Sequence, residues 1–121
     1  MAEETGYDWE DAFDSTCGSL VEGADYDAFS TARARIRERT EPHYHEEMYE
    51  VYLVEEGAGE LRVSPAGGGE PERYGLEPGM EIVIEPGEVH QALPDGELLV
   101  RTVNVPAWEE DDEYVVEEGL F

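Results

Sequence analysis

Turn formers punctuate the chain at short, regular intervals, and this spacing limits its possible folds more than any other feature. Glu55-Glu56-Gly57, Glu77-Pro78-Gly79 and Glu85-Pro86-Gly87 each close a β-branched or aromatic run, and Pro106 closes another. Residues 50–54 and 59–63 flank the first of these turns, which predicts a hairpin through Gly57. Residues 80–84 and 98–105 read as further strands, and residues 64–71, with three successive glycines, as a flexible loop. From Phe29 the pattern has period two, placing Arg33, Arg35, Arg37 and Arg39 on one side of a strand and Ala32, Ala34 and Ile36 on the other. Strands and turns that recur every ~8–12 residues belong to sandwiches and barrels. Helical periodicity is nearly absent and no internal repeat competes. The expected fold class is all-β, and 121 residues suit one domain.

The expected strand-rich body covers residues 29–108. Residues 1–28 read as an acidic N-terminal arm whose aromatic residues Tyr7, Trp9 and Phe13 dock on the body, because positions 1–32 hold nine acids and no base. Residues 109–121 read as an acidic C-terminal tail, with Tyr114, Val115 and Val116 available for an edge strand. The whole chain carries 32 acidic and 7 basic residues, a formal charge of −25, and every basic residue is arginine. At 40% hydrophobic and 10% aromatic content it is nonetheless a folding sequence rather than a disordered one. Self-repulsion of such charge weakens in concentrated salt, where the Debye length falls to ~3 Å at 1 M from ~10 Å at 0.1 M. An extremely halophilic cytoplasm is therefore expected, the alternative being a strongly solvated surface on an ordinary protein.

The same charge argues against nucleic acid, which is bound through lysine and arginine, and against anionic membranes. No apolar run approaches the ~20 residues of a spanning helix. Met1-Ala2-Glu3-Glu4 lacks the basic flank and apolar stretch of a signal peptide, so a cytoplasmic location is expected. Cys17 stands alone among acids that raise a thiol pKa, and is expected to be inert.

The three histidines of the chain fall in two short segments, His43-Tyr44-His45-Glu46-Glu47-Met48-Tyr49-Glu50 and Pro86-Gly87-Glu88-Val89-His90. Residues i and i+2 of a strand share a face ~7 Å apart, a gap that two imidazoles close onto one ion at ~2.1 Å per bond. His43 and His45 meet this condition. Glu50 lies five positions beyond His45, on the opposite face of an unbroken strand, so the chain must turn or bulge between Glu46 and Tyr49. Beyond it, Tyr52 and Val54 share the side of Glu50. His90 follows the tight Pro86-Gly87 turn and completes three nitrogen donors and one carboxylate.

The spacing H-x-H-x4-E-x6-G, from His43 to Gly57, resembles the first motif of the cupin superfamily, and Gly79, Pro86, Gly87 and His90 resemble its second. The likeness spans residues 29–108 and is that of a small single-domain cupin. Arg37, Glu85 and Pro94 depart from the pattern without removing a ligand. The resemblance implies a double-stranded β-helix, or jelly-roll, barrel with a metal in its open mouth. The positions matching the family's ligands are His43, His45, Glu50 and His90. Such a set suits one divalent transition metal, whether manganese, iron, nickel, cobalt or zinc. The resemblance also implies a homodimer paired through an outer sheet, to which Val51 and Leu53 contribute.

Two functions follow. One is a metalloenzyme, of isomerase, epimerase or oxygenase type, acting on a small polar oxygen-rich metabolite such as a sugar or a hydroxy or carboxylic acid. The other is a metal-dependent module that binds the molecule without turnover. Tyr52 is the candidate for a catalytic proton or hydrogen bond beside the metal, against simple packing. The arginine stripe faces either the pocket, where it would hold a carboxylate or phosphate, or the acidic exterior.

Overall fold

Two long antiparallel strands organise the fold, and most of the other strands pair with one of them. The computed structural model describes residues 28–121 and the backbone of residues 13–14 and 19–25. The described strands are β1 (Phe13–Asp14), β2 (Ser19–Asp25), β3 (Ser30–Ile36), β4 (His43–Tyr44) and β5 (Tyr49–Ser64), then β6 (Glu72–Leu76), β7 (Glu81–Ile84), β8 (Val89–Val105) and β9 (Tyr114–Val115). A 3-10 turn, Glu110–Asp112, precedes β9. The first half of β5 pairs with the second half of β8 and with β7, while its second half pairs with the first half of β8 and with β6. The order β1-β2-β3-β8-β5-β7 thus forms one layer and β9-β4-β8-β5-β6 the other. Both long strands run through both layers, giving the all-β jelly roll the sequence predicts.

The layers close over Ile36, Tyr52, Val54, Leu61, Val63, Leu76, Ile82, Ile84, Ala92, Leu98 and Val100. Even positions of β5 point inward up to Val54, odd positions from Leu61 onward. A side-chain period of two forbids this unless the register slips, and slips occur between Val54 and Glu56 and between Glu56 and Ala58.

The predicted hairpin through Gly57 does not form. β5 continues for 16 residues across it, because β8 supplies an antiparallel partner on both sides of the glycine. Gly57 marks an irregularity inside a bent strand rather than a reversal. The strand expected from residue 98 likewise begins at Val89, and it carries Pro94-Asp95-Gly96 within it. Pairing with β3 begins ahead of residue 29, since β2 lies inside the stretch expected as an arm. Tyr7, Trp9 and Cys17 lie outside the described residues, as does the side chain of Phe13.

The arginine stripe faces outward, opposite Ala34 and Ile36, which meet the core. Glu55 accepts from Arg33 at 3.0 Å and from Arg101 at 2.7 Å, while Glu97 accepts from Arg35 at 2.9 Å and Arg37 at 2.8 Å. Arg37 and then Arg35 hold the Glu97 carboxyl below its ordinary range despite some desolvation. Exposed pairs of this kind contribute only ~0–1 kcal/mol each. Their effect is to match an acid-rich surface to the few cations available. Among the described residues no helix is long and apolar enough to cross a membrane.

Candidate metal centre

The site lies where the two layers meet at one end of the barrel. β4 pairs with β8 so that His43 stands directly opposite His90. Glu50 enters from β5, opposite Asn104 and Ile84. His45 follows β4 just before the chain bends at Glu46-Glu47. The bend predicted between His45 and Glu50 is therefore present, and it returns Glu50 to the inward face.

All three imidazoles are buried, and each offers a nitrogen within 4.8 Å of the others, a set able to hold a metal ion. Each ring is also oriented from behind. Nδ1 of His43 donates to the Glu41 carbonyl at 2.9 Å, that of His45 to Asp112 at 2.7 Å and that of His90 to Glu88 at 3.2 Å. A carbonyl only accepts, so the proton of each neutral ring sits on Nδ1 and the lone pair on Nε2. The Glu50 Oε2 atom lies 3.2 Å from Nε2 of His90 and 3.6 Å from Nε2 of His45. It is buried with no hydrogen-bond partner among the described residues. Nitrogens whose protons point away cannot satisfy it, whereas a cation can.

Electrostatics agree with that geometry. Burial, and then the neighbouring His90, lower the His43 pKa to about 3, which keeps that ring neutral and able to ligate near neutral pH. Burial opposes charge on His45 too, but the Glu50 carboxylate outweighs it and raises the pKa. Burial likewise opposes the charge of Glu50, yet His45 and His90 hold its carboxyl well below the usual range. Glu50 thus draws one positive charge into the site, either a proton or a metal ion in its place.

Tyr52 lies two positions beyond Glu50 on the same inward face, among the core side chains. Three polar residues near the histidines and Glu50 escaped the sequence reading. Glu113 brings Oε1 to 3.7 Å from Nε2 of His43, the side of that ring that carries the lone pair. Asp112 accepts at its carboxylate from the backbone N–H groups of Glu46, Glu47 and Met48. Asn104 is buried across from Glu50, and its Nδ2 has no hydrogen-bond partner among the described residues. Glu113 and Asp112 were masked by their company, a run of five acids. Asn104 carried one usable signal, since its amide shares the parity of Leu98 and Val100 in the strand read from residue 98.

Residues 28–111 match the family described as the AraC-like ligand binding domain. Among solved structures, a protein from Planctomyces limnophilus superposes with a TM-score of 0.72 at 22% identity, covering 94% of this chain and 96% of its own. KdgF from Halomonas sp. gives 0.69 at 22% identity, with 87% and 90% covered. A Streptomyces protein solved with uridine gives 0.72 at 15% identity, with 95% and 92% covered. No curated protein matches at the level of sequence. At these identities the structural likenesses establish the fold.

Proposed function

The chain belongs to the AraC-like ligand binding domain family, a cupin-type barrel, and from that premise we propose that it binds a small polar, oxygen-rich metabolite at a metal centre. The metabolite is a sugar or a hydroxy or carboxylic acid. The ion would be held by His43, His45, His90 and Glu50. The observation that carries this is the convergence of three oriented imidazoles on one another, two of which face a buried Glu50 oxygen with no hydrogen-bond partner among the described residues. Nitrogen and carboxylate donors without thiol fit manganese, iron, nickel, cobalt or zinc. Such an ion supplies Lewis acidity toward a substrate oxygen at its open positions.

Catalysis of the isomerase, epimerase or oxygenase type is favoured over simple capture by the polar groups that stand beside the ligands. Glu113 adjoins the His43 Nε2 edge, where it can hold or release a proton. The Asn104 amide, buried opposite Glu50, offers donors to orient a substrate oxygen. Tyr52, in this reading, supplies a hydrogen bond from the interior side. Capture without turnover is the second reading, supported by the family's description as ligand-binding and by the uridine held in the Streptomyces relative.

A thermal-shift screen of sugars and hydroxy acids, run with and without metal at low and molar salt, tests this. A raised midpoint for one chemical class, seen only with metal, is the expected result. If no compound shifts the loaded protein, the small-molecule reading fails. The charge of −25 and absence of lysine also support adaptation to a salt-rich cytoplasm, so the unliganded midpoint should rise steeply with salt. A flat salt profile would sink that part.

Homodimerisation is part of the proposal. Tyr49, Val51 and Leu53 share the outer face of β5 with Val83 of β7 and Val103 and Val105 of β8. Tyr49, Val83 and Val105 are 49%, 55% and 46% exposed, an apolar patch unusual on so acidic a surface. Light scattering in molar salt should give twice the chain mass, and Val83→Asp should halve it. A monomeric wild type would refute pairing through this face.

A further inference from the structure

We propose that Asp112 is the positioning residue of the metal centre, and that the C-terminal segment carrying it straps both histidine-bearing segments in place. The inference rests on the metal reading above. It concerns residues beyond the family match, which ends at residue 111.

Asp112 is buried, although carboxylates rarely are. Oδ1 accepts from the N–H of Glu46 at 2.7 Å and of Glu47 at 3.3 Å, and Oδ2 accepts from Glu47 and Met48 at 3.2 Å each. These three successive N–H groups belong to the bend that returns Glu50 to the inward face. Without the carboxylate all three would lose this partner, and the N–H of Met48 would be left unsatisfied in the interior. The backbone carbonyl of the same residue accepts from Nδ1 of His45 at 2.7 Å. Asp112 therefore fixes both the tautomer of His45 and the path of the chain from His45 to Glu50. Partners that orient a ligating histidine from behind govern metal affinity as well as geometry.

The rest of the segment holds the other two histidines. β9 pairs with β4, setting His43 opposite Val115 and Tyr44 opposite Tyr114, whose rings stack with centroids 5.1 Å apart. Val116 donates to the Pro42 carbonyl at 2.9 Å. Leu120 N–H donates to Oε1 of Gln91, next to His90, at 2.7 Å, and Arg62 donates to the Leu120 carbonyl at 2.7 Å. Residues 112–120 thus touch every ligand-bearing segment.

The test uses full-length Asp112→Ala and Asp112→Asn in molar salt, with folding checked by near-ultraviolet circular dichroism. Zinc affinity is measured by chelator competition and ligand geometry by the visible spectrum of the cobalt form. Folded Asp112→Ala should bind about 10- to 100-fold more weakly, with an altered cobalt spectrum. Asp112→Asn should fall between it and wild type, since one amide oxygen still accepts from Glu46 while the NH2 group faces N–H donors. If the alanine variant does not fold, the asparagine variant carries the measurement. Exposed Asp111→Asn should match wild type in both readouts.

Folded variants with wild-type affinity and spectrum overturn the inference while leaving the metal reading intact. A lower melting temperature with unchanged affinity would make Asp112 a structural cap only, and overturns it equally. Wild type that binds neither zinc nor cobalt removes the metal reading and this inference with it.

Discussion

Purified wild-type protein should carry close to one equivalent of a divalent transition metal, and His90→Ala and His45→Ala should each lose nearly all of it. The size of the effect follows from where the two rings stand. Each presents Nε2 to the same buried carboxylate oxygen, at 3.2 Å and 3.6 Å. Removing one ring deletes a ligand outright, whereas even the loss of an orienting partner behind a ligand costs about 10- to 100-fold in affinity. A loss well beyond 100-fold is therefore expected. Glu50→Gln should be equally severe, because it removes the only charge in the set that favours a cation over neutral rings. Elemental analysis and chelator competition measure both effects. A folded His90→Ala that retains a full equivalent would mean the ion is held elsewhere, and a wild type with none would remove the metal reading. The variants should stay folded, since these rings lie at the mouth and the described core is built from aliphatic residues and Tyr52.

How much of this site could be seen in the sequence depends on how local its causes are. His43 and His45 were legible because the spacing of two along a strand is itself geometry. His90 was legible as the end of a turn-closed segment that resembled a known motif. Glu50 was legible only on the condition that the chain bend before it, and the cause of that bend was out of reach. It is supplied by Asp112, 64 to 67 positions away, one among 32 acidic residues of which any could have been the cap. Burial alone distinguishes it, and burial belongs to the folded chain. Glu113 was hidden in the same way.

The fold class was legible for the same local reason, since turn formers at short intervals leave little room for helices. The extent of the strands was not. Glu55-Glu56-Gly57 looked like a reversal because turns and bulges use the same residues. Only the long partner β8, running past on both sides, decides between them. The direction of the arginine stripe was similarly undecided by alternation, which defines two faces without naming the inner one. Ala34 and Ile36 on the core settle it.

Gly57→Ala should therefore be among the most damaging substitutions outside the metal centre, although it adds a single methyl group. Gly57 has φ of +90°, in the region that favours glycine, and a Cβ there would drive into the Glu97 carbonyl oxygen and stand 3.1 Å from the Leu98 Cα. Both obstacles are backbone of β8, which cannot rotate away as a side chain would. The left-handed conformation alone costs an alanine ~1–2 kcal/mol, and forced displacement of packed structure adds about 1–3 kcal/mol. Moving this part of β8 would also disturb Glu97, which holds Arg35 and Arg37, and Leu98, which is fully buried. A loss of roughly 2–5 kcal/mol is expected, a large share of the ~5–15 kcal/mol that holds an ordinary domain. Gly96→Ala is the comparison that isolates the cause. Its φ of +81° is as unusual, but nothing lies within 4 Å of the added atom, so only the conformational cost of ~1–2 kcal/mol applies. Denaturant unfolding of both variants in molar salt gives the difference directly. Equal losses would show that the pairing of β5 with β8 tolerates a side chain here, and that Gly57 is needed for its backbone angle alone.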